Sequence, residues 1–155
     1  MTRSYKILYA EDDVSLNEIT MELLIGEGFE CVSVANGLEA KAKLETEDFD
    51  LLLTDFLMPF MNGAELLLWC RKTGKHLPVI FISGNLERLP LENLALEDCC
   101  TSMVTKPIAF DDLIMTIMKS LSRSHELDCI KVASYEDTLV AQVFLGQHFK
   151  PVLPR

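Results

Sequence analysis

The chain has few basic residues, and that shortage argues against one class of function. Its 155 residues include 14 Lys and Arg against 24 Asp and Glu, so the formal net charge is −10. A protein that binds the phosphates of DNA or RNA needs a basic face. We therefore expect no direct nucleic-acid partner.

Long apolar runs and metal-binding cysteine pairs are also missing. No run approaches the roughly 20 apolar residues of a membrane-spanning helix, and the N-terminal MTRSYKILYAEDD ends in acids, unlike a secretory signal. The five cysteines show no CxxC spacing and the three histidines are isolated. In a reducing compartment, cysteines without such spacing usually serve as small buried hydrophobic residues. We expect a cytoplasmic chain without a membrane partner.

What the sequence does have is a regular alternation of strand-like and helix-like segments. Hydrophobic residues make up 49% of the chain, enough for a sizeable core. Apolar runs of strand length alternate with segments of helical spacing down to about residue 122. This rhythm predicts an α/β fold, a flavodoxin-like (βα)5 doubly wound parallel sheet with strand order 2-1-3-4-5. The predicted strands are 5–10, 29–34, 51–55, 78–82 and 100–104.

Two helix starts allow alternatives. Ser15, with Glu18 three residues later, forms the pattern of a capping box that would open the first helix. The acidic run 11–13 could cap the same helix instead. Pro90 falls within the fourth helical segment, so that helix either begins at Pro90 or is interrupted before it.

The last part of the chain differs in charge from the rest. We predict a main domain over residues 1–122 and a C-terminal extension over 123–155, whose four acidic and four basic residues make it neutral. The sequence of the extension predicts a short strand and an amphipathic helix, and a segment of this length is too short to fold as an independent domain. It either packs on the main domain or acts as a dimer or partner arm, because its apolar stripe needs burial. The stripe consists of Leu139, Val140, Val143 and Phe144.

Polar side chains gather where the predicted strands end. Glu11 and Asp12 follow the first strand, and Asp55 ends the third. Ser83 follows the fourth strand and Lys106 the fifth. The carboxyl ends of parallel strands meet at one sheet edge, and strands 1 and 3 are neighbours in this order, so three carboxylates should converge. Their repulsion would raise the pKa of one of them unless a cation intervened, and Mg²⁺ fits oxygen ligands near phosphate.

This arrangement suits phosphoryl transfer, which asks mainly for positioning and charge stabilisation. Asp55 is placed as a nucleophile on phosphorus. Asp12 holds the metal, with Glu11 bound directly or through water. The Ser83 hydroxyl and the Lys106 ammonium contact the transferred oxygens. Each residue alone could be a cap, a turn or a loop residue, but all five at the correct strand ends are far harder to obtain by chance.

The same residues resemble the signature of the response-regulator receiver domain of two-component signalling. The resemblance covers about residues 5–122. Its motifs are Glu11-Asp12 after ILYA, Asp55 after LLLT, Pro59 and Gly63 four and eight residues beyond it, Ser83 after VIFI, and Lys106-Pro107.

The resemblance implies a role for each of these positions. Asp55 would accept phosphate from the phosphohistidine of a histidine kinase or phosphotransfer protein. Asp12 would ligate Mg²⁺ together with the backbone carbonyl of Leu57. Ser83 and Lys106 would contact the phosphoryl group.

The sequence departs from the family pattern on the side that usually carries output. Met103 stands three residues before the lysine, where the family usually has an aromatic residue that moves together with the Ser or Thr. Residues 98–100 replace a usual pair of small residues, and Pro90 alters the fourth helix. Ser83 and Met103 are therefore the predicted switch positions, on an altered output face.

The resulting prediction is a stand-alone receiver that signals through contacts with a downstream protein. It would catalyse only its own Mg²⁺-dependent phosphorylation and dephosphorylation, and is not expected to be an enzyme for a separate substrate. The alternative, motivated by Met103, is an interaction or dimerisation module of the same fold that works without phosphate. A free-standing phosphatase is disfavoured, because Leu57 stands where a DxD pair needs its second acid.

Overall fold

The computed structural model describes residues 3–84 and 101–126, with side chains to residue 123. The Pro90 helix and the extension beyond residue 126 lie outside the described residues, and so does any homodimer contact made by that extension. The strands are β1 (Lys6–Ala10), β2 (Glu30–Val34), β3 (Leu51–Asp55), β4 (Val79–Ser83) and β5 (Thr101–Thr105). The helices are α1 (Val14–Gly26), α2 (Gly37–Thr46), α3 (Gly63–Lys72) and α4 (Phe110–Glu126).

The five strands form one parallel sheet in the order β2-β1-β3-β4-β5. This confirms the predicted fold class and strand order. Four strands begin one residue later than predicted. At β4 the reason is Pro78, whose carbonyl accepts a hydrogen bond from the N–H of Leu52 but which has no N–H of its own to donate.

Helices cover both faces of the sheet. Side chains alternate along each strand, so β3 and β4, buried at every position, supply both faces. One core cluster joins the strands to α2 and α3, and includes Leu8, Leu52 and Phe81. The other joins them to α1 and α4, and includes Tyr9 and Ile117. In the described part of the chain, neither helix layer covers the carboxyl edge of the sheet, and that edge is open for a site.

The first helix begins at Val14, so the predicted capping box at Ser15 is wrong. The N-cap is Asp13, whose side chain accepts a hydrogen bond from the backbone N–H of Leu16 at 2.9 Å. A carboxylate directly before the helix satisfies the free N–H groups of the first turn. The acidic run is therefore divided, and Asp13 serves the helix while Glu11 and Asp12 remain available to the sheet edge.

The last helix continues past the predicted boundary at residue 122, to Glu126. Its buried residues Leu113, Ile117 and Leu121 recur every four positions and contact the sheet. The division into 1–122 and 123–155 stays a prediction. Within the described part of the chain, no helix combines the length and the apolar character needed to cross a membrane.

Two of the five cysteines lie in the described residues, and both are free thiols. Cys70 is fully buried in the core and Cys31 is half-buried. Burial raises the pKa of each thiol to about 11. Such thiols are unreactive at neutral pH, in keeping with the predicted role as small hydrophobes.

Candidate functional site

Three carboxylates from two neighbouring strands meet at the carboxyl edge of the sheet. Glu11 and Asp12 follow β1, and Asp55 is the last residue of β3. One oxygen of each lies within 4.8 Å of the others. Glu11 is 1% exposed and Asp55 is 7% exposed, whereas Asp12 is open to solvent. The structure thus brings together the three acidic residues that the sequence placed there.

Lys106 joins two of these carboxylates. Its Nζ lies 2.9 Å from Oδ2 of Asp55 and 3.1 Å from Oε2 of Glu11. Burial acts to lower the pKa of Lys106, but hydrogen bonds and charge attraction from Asp55 and Glu11 outweigh it, and the pKa is raised. The ammonium therefore stays charged and partly balances the acidic site.

Glu11 is the carboxylate that burial disfavours most. Desolvation raises its pKa, and the negative charge of Asp55 raises it further. Two contacts oppose the shift, a hydrogen bond from the Asp13 N–H at 3.1 Å and the ion pair with Lys106. Although Nζ is close to Oε2, this oxygen has no well-aligned hydrogen bond among the described residues. It retains the capacity to bind a further cation.

Ser83 occupies the same edge as the last residue of β4, and it is buried. Its backbone carbonyl accepts a hydrogen bond from the N–H of Lys106 at 2.8 Å. The ends of β4 and β5 are therefore tied together beside Asp55. All four strand ends that the sequence singled out meet at one place, but the chemical roles of Ser83 and Lys106 stay predictions.

The close packing beside Asp55 explains why residue 63 is a glycine. A Cβ added there would lie 2.7 Å from the backbone oxygen of Asp55 and 3.0 Å from the ring of Phe81. Glycine lets α3 begin close behind Asp55. The helix is fixed there by a capping box between Asn62 and Glu65, with hydrogen bonds of 2.8 and 2.9 Å.

Two other predicted positions take different surroundings. Leu57 lies in the loop after β3 with its side chain mostly exposed, and the role of its carbonyl as a ligand stays a prediction. Met103 pairs with Phe81 across β4 and β5 and packs, half-buried, on the α2 and α3 side of the core. Two buried aromatic residues, Phe81 and Phe56, lie in this layer, with their ring centroids 5.5 Å apart in an edge-to-face arrangement.

Tyr9 is a neighbour of the site that the sequence did not single out. It is fully buried, and burial raises the pKa of its hydroxyl far above the ordinary value. The nearby Thr20 side chain opposes this shift, while the charges of Glu11 and Asp55 add to it. The available signal was spacing, because residues 9 and 11 lie on the same side of an extended chain.

The chain belongs to the response regulator receiver domain family, whose model matches residues 7–118. Phosphorylation and Mg²⁺ binding are characteristic of that family. The response regulator receiver protein CpdR of Brucella abortus is 33% identical over 117 residues, which are 75% of this chain and 96% of CpdR. A CheY-like receiver domain protein from Methanospirillum hungatei has a TM-score of 0.71 and 29% identity, over 80% of this chain and 98% of that one.

Other relatives are longer. The CpxR homolog of Haemophilus influenzae, a transcriptional regulatory protein, is 33% identical over 84% of this chain and 58% of its own length. A probable transcriptional regulator, ycf29 of Pyropia yezoensis, is 31% identical over 95% of this chain and 65% of its own length. The chain thus spans less than two thirds of the length of these curated relatives.

Proposed function

We propose that Asp55 accepts a phosphoryl group from the phosphohistidine of a histidine kinase or phosphotransfer protein. The observation that carries the proposal is the contact of Lys106 Nζ with both Asp55 and Glu11, at 2.9 and 3.1 Å, within a cluster of three carboxylates. A nucleophile, an acidic pair and a cation are thereby gathered around one open edge. Receiver domains act in phosphorelay signalling, and this is the chemistry that such a site supports.

The acidic cluster fits Mg²⁺. Glu11, Asp12 and Asp55 offer hard oxygen ligands within reach of a single ion, and Oε2 of Glu11 is buried with bonding capacity left over. The backbone carbonyl of Leu57 would complete the protein ligands, as the family resemblance implies. When bound, Mg²⁺ would offset the negative charge of the carboxylates and of the incoming phosphoryl oxygens.

The chain's own residues perform the transfer. A carboxylate oxygen of Asp55 forms the new bond to phosphorus while the N–P bond of phosphohistidine breaks and the imidazole leaves. Lys106 moves its hydrogen bond from Asp55 to a phosphoryl oxygen, and the Ser83 hydroxyl donates to another. Water later attacks phosphorus, the bond between Asp55 Oδ and phosphorus breaks, and inorganic phosphate leaves, which regenerates the Asp55 carboxylate. The chain thus acts on its own carboxylate and needs no separate substrate.

We further propose that the signal passes to a downstream protein by surface contact. The net charge of −10 disfavours contact between this chain and DNA. The match to a receiver protein over 96% of its length supports a stand-alone receiver. The alternative, a module that works without phosphate, is favoured by Met103 at the usual aromatic position. A partner whose affinity changes more than about tenfold on phosphorylation of Asp55 excludes that alternative.

The test is intact-mass measurement after incubation with Mg²⁺ and phosphoramidate. We expect an added mass of about 80 Da, one phosphoryl group, in the wild type and not in Asp55→Asn. Asp111→Asn, which alters an exposed acid in the first turn of α4, is the matched control and should be labelled as the wild type is. A missing adduct, or one that persists in Asp55→Asn, contradicts the proposal.

A further inference from the structure

Three exposed apolar side chains lie beside the acidic site, one on the first residue of α1 and two on the loop after β3. Val14 is 70% exposed, Leu57 66% and Phe60 81%. Val14 comes two residues after Asp12, whereas Leu57 and Phe60 come two and five residues after Asp55. Because β1 and β3 are adjacent and parallel, both loops leave the same edge of the sheet. We call these three side chains the apolar rim.

Phe60 has a backbone conformation that disfavours it. Its φ is +69°, in the left-handed region, where the Cβ of an L-residue crowds the backbone. Glycine or asparagine takes this conformation at lower cost. With 81% of the residue exposed, the ring recovers little of that cost by burial in its own chain. A costly residue that gains little within the fold points to a binding role.

The position of the rim indicates what binds there. Asp55 is only 7% exposed, and transfer requires phosphorus to come within about 3.5 Å of its oxygen. A small phosphodonor can enter alone, but a protein donor must lay its own surface over the loops around Asp55. Exposed aromatic residues at such a centre are typical anchors of protein interfaces.

We propose that the apolar rim docks the phosphohistidine-bearing face of the donor protein, with Phe60 as the anchor. The donor's matching surface is apolar around its histidine. It also carries basic residues, because the exposed Asp12, Asp13 and Glu18 border the rim. The proposal names the partner surface for the proposed function and rests on that function.

The experiment compares two donors on one variant. Phe60→Asn is assayed with phosphoramidate and with a panel of purified, autophosphorylated histidine kinases from the source organism. We expect the phosphoramidate rate to stay within about twofold of the wild type, and kcat/KM from the kinase most active on the wild type to fall at least about tenfold, mainly through KM. Relief of the left-handed backbone should raise Tm by about 3 °C, which excludes damage to the fold.

Two further variants sharpen the result. Phe60→Gly, which also accepts the left-handed backbone, should behave as Phe60→Asn does. Ile25→Asn removes a side chain that is 56% exposed near the C-terminal end of α1, away from the carboxyl edge. This variant should accept phosphate from the kinase with the same kcat/KM as the wild type.

Three outcomes overturn the proposal. The first is a kcat/KM from the kinase to Phe60→Asn within about twofold of the wild type, and the second is an equal fall of kcat/KM in Ile25→Asn. The third is that no kinase of the panel phosphorylates the wild type, although phosphoramidate labels it. Failure of phosphoramidate on the wild type instead contradicts the proposed function itself.

Discussion

Lys106 Nζ lies 2.9 Å from Oδ2 of Asp55, so the ammonium of the site is in contact with the carboxylate that we propose as the nucleophile. The same ammonium lies 3.1 Å from Glu11. The contact orients the Asp55 side chain, and in the proposed mechanism Lys106 exchanges it for a contact with a phosphoryl oxygen. On that proposal, one lysine stabilises the resting site and later the phosphorylated one.

Replacement of this lysine should destabilise the resting protein. Lys106→Met leaves two buried carboxylates without their cation, and we expect the free energy of unfolding to fall by about 1–3 kcal/mol in EDTA. Because Mg²⁺ can replace the lost charge, the deficit should shrink in 10 mM Mg²⁺. Urea unfolding with and without Mg²⁺ measures both effects. Lys119→Met, on the exposed face of α4, is the control, and an equal loss there would contradict the expectation.

The pH dependence of stability should carry the signature of Glu11. Its pKa is raised in the folded state, chiefly by burial, so the folded protein binds this proton more tightly than the unfolded chain does. The stability gained from protonation of Glu11 is therefore lost as the pH rises from the ordinary pKa of glutamate through the raised pKa of the folded state. Glu11→Gln should be more stable than the wild type at pH 7.5 in EDTA, and the difference should narrow as pH falls. Urea unfolding at a series of pH values decides, and a difference independent of pH would refute this expectation.

The close approach behind Asp55 can be tested with a pair of glycine substitutions. Gly63→Ala places a methyl group 2.7 Å from the Asp55 backbone oxygen. We therefore expect the free energy of unfolding to fall by about 1–3 kcal/mol and labelling by phosphoramidate to be slower. In Gly26→Ala, at the end of α1, the added methyl group has nothing within 4 Å. The free energy of unfolding should rise by up to about 1 kcal/mol. Thermal unfolding and labelling rates are the measurements, and similar effects at both positions would show that the contact does not matter.

The start of the first helix offers a further comparison. Asp13→Ala removes the observed N-cap and should cost about 1 kcal/mol. Ser15→Ala removes the residue that the sequence pattern favoured, and should change stability by less than about 0.5 kcal/mol. Chemical denaturation of the two variants decides between the caps, and the reverse order would restore the Ser15 assignment.

Much of the fold was predictable because its strands are buried on both faces. The runs that became β3 and β4 are apolar throughout, and only a sheet covered by two helix layers satisfies such runs. The strand order then fixed which polar ends would meet. Glu11, Asp12, Asp55 and Lys106 could therefore be grouped before any distance was known.

What could not be predicted depended on choices among similar side chains. Three consecutive acids precede α1, and only the backbone path shows that Asp13 caps it while the other two face the sheet edge. Tyr9 was hidden because a tyrosine inside an apolar strand is most simply a core residue. The left-handed backbone at Phe60 had no marker, since glycine or asparagine would have signalled it and phenylalanine does not.

The bond from the Lys106 N–H to the Ser83 carbonyl has a mechanical consequence. It clamps together the two ends of the chain segment that leaves β4 and returns to β5. If phosphorylation of Asp55, as we propose, displaces Ser83 or Lys106, we expect this hydrogen bond to make the carboxyl ends of β4 and β5 shift together. On the proposed function, a change at one carboxylate would therefore reach the ends of two strands together.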